Sequence, residues 1–200
     1  MSQPNLDLSA LIGSRICHDL ISPVGAIANG LELLGLAGVP DGPEMSLVAD
    51  SAAHASARLR FFRIAFGLSS EGQGLPSGEL AEVLSGLYRG KIACEWDIAE
   101  PLPRRLAQAS FLGILCAEQA IPHGGTLRVS GGAGRVRITA TGARLTLLPE
   151  HWAWLGAAQD AGHLVHLPAA QVQFALLPAL LAELGRTPEI DCGDALSLAF

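Results

Sequence analysis

The eight residues CHDLISPV, positions 17–24, set an imidazole, a carboxylate, a hydroxyl and a proline in a stretch otherwise rich in Leu, Ile, Ala and Gly. Taking His18 as zero on a helical wheel, Ile16, Leu20, Val24, Ile27, Leu31 and Leu34 fall between about 160° and 240°. That stripe is the expected core-facing side. Ser14, Ser22, Gly25 and Asn29 fall within about 40° of His18, and Glu32 lies on the same side. The imidazole is thus expected to face outward among side chains too small to shield it. Its ordinary pKa near 6.5 leaves most of it neutral at pH 7, so a ring nitrogen is available as a nucleophile toward a group carried by another protein. Pro23 has no N–H for the Asp19 carbonyl and its ring crowds that carbonyl, which predicts a bend one turn beyond His18.

Other chemistries fit these residues less well. His18 and Asp19 point about 100° apart and no second His stands three or four residues away, so a metal site is not expected. Ser22 lies one turn from His18, but no strand-to-helix elbow or oxyanion hole accompanies it. His54, His123, His151, His163 and His166 are expected as solvated or capping side chains. The four cysteines, Cys17, Cys94, Cys116 and Cys192, form no CxxC pair, which points away from zinc and from a disulfide framework and fits a reducing cytoplasm.

The elements that must position His18 follow from the periodicity. Helical patterns over about 5–38 and 44–68 flank AGVPDGP, whose Pro40, Asp41, Gly42 and Pro43 supply turn chemistry, so a helical hairpin is expected. In the second helix Val48, Ala52, Ala55, Leu59, Phe62 and Phe66 recur in steps of four and three, the seam of a bundled helix. Two helices bury too little alone, and pairing two hairpins into a four-helix bundle makes a homodimer. GLSSEGQGLPSG, 67–78, marks a boundary between 1–68 and 76–200, with 69–75 as linker. Beyond it SGELAEVLSGLY, PRRLAQASFLGILCAEQA and AAQVQFALLPALLAELG read as helices. GTLRVS, GRVRITA, ARLTLL and DALSLAF read as short strands. The second domain is therefore α+β, with helices on one mostly antiparallel sheet.

Composition narrows the partners. Half the chain is apolar, only 16% is charged, and the formal net charge is −6 with one lysine among thirteen cations. No basic field is available for a nucleic-acid backbone. The apolar stretches are interrupted by Arg15, His18, Asp19, Asn29 and Glu32, or by Pro178, so neither a signal peptide nor a membrane-spanning helix is expected. Trp152 and Trp154 are expected in the core or at its rim.

HDLISPV resembles the H-box of histidine kinases: a His followed by an acid and Leu, then a small polar residue and Pro, on the first helix of a dimerising hairpin. More narrowly, RICHDLISPVGAIANGLELL resembles the ChpT-like histidine phosphotransferases of alphaproteobacteria, in which Arg, HDL, SP, NG and EL recur at this spacing. The resemblance implies a degenerate kinase-ATPase-like second domain. A kinase would need a magnesium-binding Asn, a DxGxG Asp and a Gly-rich lid. Here Leu112 and Cys116 stand on the matching helix, no Asn follows Asn29, Ala140 and Arg144 occupy the DxGxG strand, and LPEHWAWLG stands where a lid would lie. Loss of those groups removes the cradle for Mg·ATP, so no nucleotide cofactor is expected.

The function implied is a phosphorelay: phosphoryl transfer through His18 between the receiver domain of a hybrid histidine kinase and response regulators, with the receiver bringing magnesium. In that reading Asp19 accepts from Nδ1–H or biases the tautomer, Ser22 bonds phosphoryl oxygens, and Arg15 meets the phosphoryl charge or an acidic rim. Ser14, Gly25, Asn29 and Glu32 belong to the docking face. Two rivals stay open, a noncatalytic dimeric binding module and an atypical histidine kinase labelled by ATP.

Overall fold

A computed structural model describes residues 16, 19, 20, 23, 26, 27, 30, 33, 42–67, 74–156 and 168–200. Ile16, Asp19, Leu20, Pro23, Ala26, Ile27, Gly30 and Leu33 are all helical. The next helix, α1, runs Pro43–Phe66 with proline in its first turn, where a missing N–H costs nothing, and Glu44 beside the positive helix end. The chain then forms β1 (Gly74–Leu75), α2 (Ser77–Leu87), β2 (Ile92–Asp97), β3 (Leu102–Pro103), α3 (Arg104–Glu118), β4 (Gly125–Gly131) and β5 (Val136–Thr141). It finishes with α4 (Pro149–Gly156), a 3-10 turn at Ala169–Gln171, α5 (Gln173–Glu183), β6 (Glu189–Cys192) and β7 (Leu196–Ala199).

The main sheet has strand order β2-β4-β5-β7-β6. Only β2 and β4 pair in parallel, and they need the long crossover through α3. Val129 lies opposite Ile138, and Ile138 opposite Leu198, so a one-residue slip would expel all three buried side chains. The other face is polar: Arg128 bonds Asp97 at 2.7 Å and Arg137 bonds Ser197 at 2.9 Å. Helices cover the apolar face. The central one, α3, is buried along almost its whole length and touches α1, α5 and the sheet. Its Gly113 is a close-approach position, since a β-carbon there would press on Ile138.

The α+β expectation describes this architecture, with several local differences. ARLTLL is not a strand. Both sides of β5 are already taken by β4 and β7, so 143–148 crosses instead to the end of α3, where the Thr146 N–H donates to the Ala120 carbonyl at 2.8 Å. IACEWD, not anticipated, is β2, with Ile92, Cys94 and Trp96 half-buried and the alternate residues exposed. PEHWAWLG is α4. Because α4 packs on α5, His151 is not solvated as expected but 5% exposed, its ring 5.2 Å from Trp154 and 5.3 Å from Phe174. Trp152 is buried and Trp154 lies at the rim of the same core, as expected for both.

The repeat along α1 serves two surroundings. Ala55 and Phe62 are buried and Phe66 half-buried, because the C-terminal half of α1 packs on α2 and α3 of the same chain. Toward the N-terminal half a strip of apolar and small residues stays open: Met45 is 41% and Leu59 52% exposed, with Ala49, Ala52 and Ser56 exposed between them.

Candidate functional site

Of the residues singled out in the sequence, His18, Ser22, Ser14, Arg15, Gly25, Asn29 and Glu32 lie outside the described residues. Asp19 is described, and it defines the site. Its carboxylate sits 3.6 Å from Arg58 of α1, with the Asp19 side chain 9% and that of Arg58 20% exposed. Eleven residues further along, Gly30 comes so close to α1 that a β-carbon would overlap Val48. Position 19 meets 58 and 30 meets 48, so the two segments run antiparallel, as a hairpin requires.

The face that meets α1 is the one carrying Asp19, Pro23, Ala26 and Gly30, spaced in steps of four, three and four. On the wheel these lie at about 80° to 140° from His18. Pro23 and Gly30 are buried there, whereas Ile16, Leu20 and Ile27 of the expected core stripe are only half-buried in the single chain. Asp19 therefore faces the helix–helix seam.

A cleft of about 600 Å³ opens beside Asp19, floored by Pro23 and Ala26 and walled by Asp50, His54 and Arg58 of α1. Gly86 of α2 and Arg89 just beyond it close the far side. Arg58 bridges two groups, since its Nη2 is 3.5 Å from the His54 ring Nε2 while its Nη1 faces Asp19. Burial first, then the Arg58 and Arg89 charges, hold the His54 pKa below its ordinary 6.5. The lowered value favours the neutral ring at pH 7. Sequence reasoning missed His54 and Arg58. Their signal was there in the i, i+4 spacing of two polar side chains on a stretch of helix otherwise rich in Ala.

The lowered His54 pKa has a consequence for stability. The unfolded chain binds a proton near pH 6.5, whereas the folded protein resists it. The contribution of His54 is whole above about pH 6.5 and is lost as pH falls through the lowered folded value. Urea unfolding at pH 7.5 and pH 5.5 is expected to show a larger loss for the wild type than for His54→Gln. Equal losses would show that His54 carries no such linkage.

Elsewhere, groups that could react are held inert. Burial, then Glu118 and Glu95, push the Cys94 thiol up to about 12. Burial likewise raises Cys116 and, with Glu118, Tyr88, whose hydroxyl donates to Glu118 at 2.9 Å. Among the described residues no group of His, Cys, Asp and Glu has the arrangement of a metal site, and no helix is long and apolar enough to cross a membrane.

The sheet domain and the chain as a whole are matched by known proteins. Residues 77–195 fit the profile of the histidine phosphotransferase C-terminal domain. The protein phosphotransferase ChpT of Brucella abortus (strain 2308) is 43% identical over 152 residues, 72% of each chain. A bacterial phosphotransferase whose structure was solved at 1.7 Å superposes with a TM-score of 0.79 at 36% identity, covering 100% of this chain and 97% of that one. The chain belongs to the ChpT-like histidine phosphotransferase family.

Proposed function

We propose that this phosphotransferase works in a phosphorelay, accepting a phosphoryl group on His18 from the receiver domain of a hybrid histidine kinase and passing it to response regulators. The observation that carries this reading is the seating of Asp19, the chain neighbour of His18, at the antiparallel seam of the hairpin. Neutral Nε2 of His18 attacks phosphorus in line, the P–N bond forms, and the aspartyl P–O bond breaks to release a carboxylate on the donor. The imidazolium so formed makes the transfer reversible, and an acceptor Asp reclaims the same phosphorus. Asp19 stabilises that cation and Ser22 bonds the phosphoryl oxygens. Arg15 meets the phosphoryl charge or an acidic rim on the receiver, while Ser14, Gly25, Asn29 and Glu32 form the docking face.

The protein needs no nucleotide of its own, and the receiver brings the magnesium. In support, Leu112, Cys116 and Ala140, at the positions where a kinase would bind Mg·ATP, are all buried in the apolar core and offer no ligand. It acts in the cytoplasm as a homodimer, through a four-helix bundle of two hairpins. Met45, Ala49, Ala52, Ser56 and Leu59 support this, since these apolar and small residues repeat in steps of four and three along an exposed strip of α1, the spacing of a helix–helix seam. The hairpin, 1–68, carries the chemistry, 69–75 links, and 76–200 aids receiver docking.

The test is a labelled transfer time course with ATP alone and then with a phosphorylated hybrid-kinase receiver. Acid-labile label arriving only from the receiver is the expected result. Label from ATP alone would mean an atypical kinase, and no label from any receiver would leave a noncatalytic binding module.

A further inference from the structure

We propose that Arg58 is a positioning residue for phosphoryl transfer: it holds the Asp19 carboxylate across the hairpin and so sets the orientation and the local field of the acid next to His18. This rests on the phospho-His18 reading above. The geometry is that of a guanidinium held between two partners, Asp19 Oδ2 at 3.6 Å from Nη1 and His54 Nε2 at 3.5 Å from Nη2. With Arg58 and Asp19 mostly buried, their attraction is screened far less than that of a surface pair.

Consecutive α-carbons lie about 3.8 Å apart, so whatever fixes Asp19 acts within one residue of the acceptor. Without the Arg58 charge the carboxylate would favour the imidazolium more strongly and leave less neutral nucleophile at pH 7. A carboxylate with the Arg58 guanidinium beside it keeps its ability to accept a hydrogen bond but exerts a weaker field. Arg58 thereby balances two needs: an acid near enough to steady the phosphorylated ring, yet not strong enough to protonate the free one. Other groups facing this carboxylate across the cleft are Asp50 and His54 of α1 and Arg89 beyond α2. With the His54 pKa lowered, Arg58 and Arg89 are the cations among the cleft-lining residues described, and Arg58 Nη1 stands 3.6 Å from the Asp19 carboxylate.

The experiment is an NMR titration of the His18 ring in the full chain, run alongside transfer rates between pH 6 and pH 8.5, for wild type, Arg58→Ala, Arg58→Lys, Asp19→Asn and Arg58→Ala in the Asp19→Asn background. Arg58→Ala is expected to raise the His18 titration midpoint by about half to one unit. Transfer at pH 6.5 then falls roughly two- to fivefold and converges on wild type near pH 8.5. Arg58→Lys restores most of the midpoint, and the shift shrinks sharply once Asp19 is Asn, because the effect travels through that carboxylate. An unmoved midpoint, an equal shift in both backgrounds, or a rate loss uniform in pH with a lowered Tm would overturn the proposal. Should His18 accept no label, the titration still decides the Arg58–Asp19 coupling, so the two failures are told apart.

Discussion

His18→Ala is expected to abolish acid-labile labelling from a phosphorylated receiver, a loss of at least about 10³-fold in transfer rate, while leaving the thermal unfolding midpoint nearly unchanged. The size follows from the proposed chemistry: in that relay the ring nitrogen forms the covalent bond, and no other side chain on its face is a nucleophile of comparable strength at pH 7. Ser22 is a neutral hydroxyl and Arg15 a cation, so neither replaces it. The small stability effect follows from the wheel, which sets His18 opposite the apolar stripe. The measurement is a rapid-quench time course with the label followed through acid and base treatment. Label that persists in His18→Ala with the same acid lability would move the acceptor to another histidine. His54 would then be the next to test, as a neutral imidazole lining the cleft beside Asp19.

The second large effect is structural. Phe61 is fully buried, with its ring 4.7 Å from Phe111 of α3, 6.2 Å from Phe62 and 6.4 Å from Tyr88. Phe111 in turn lies 6.3 Å from Trp96 of β2. This aromatic chain fastens the hairpin to the sheet domain. Phe61→Ala is expected to cost about 3–5 kcal/mol, lowering Tm by roughly 6–20 °C. Calorimetry checks the magnitude. Because Phe61 lies three residues beyond Arg58 on the same helix, the surviving folded protein should also transfer more slowly. A Tm shift under about 2 °C would show that the cavity collapses without loss.

Legibility differed by element. The hairpin, α2, α3, α5 and the strands β4, β5 and β7 follow from apolar spacing and from the Gly and Pro punctuation that separates them. β2 and β6 were hidden for a physical reason. IACEWD and EIDC are the two edge strands of the sheet and carry charged residues, Glu95 and Asp97 in one and Glu189 and Asp191 in the other, as edges that must avoid pairing with other chains tend to do. ARLTLL alternates as well as any strand does, yet both sides of β5, the strand it follows, are already taken by β4 and β7. Whether an alternating segment becomes a strand depends on a vacant neighbour, and local sequence holds no record of that.

The site divides the same way. The family resemblance is carried by twenty contiguous residues, so sequence alone sufficed for the class of protein, and the expectation that His18 is the nucleophile rests on local features of the same stretch. Local sequence also established the apolar repeat of α1. Only the tertiary structure decided that half of that repeat is used inside the chain, against Phe111 and its neighbours, while the Met45 to Leu59 strip stays exposed. Likewise only the packed hairpin brings Arg58 and His54 to Asp19, across thirty-nine and thirty-five positions of chain respectively. Periodicity reports which face of a helix is apolar. It carries no information about which residue on another helix will stand opposite, because that is set by the register and rotation of two packed helices rather than by either one.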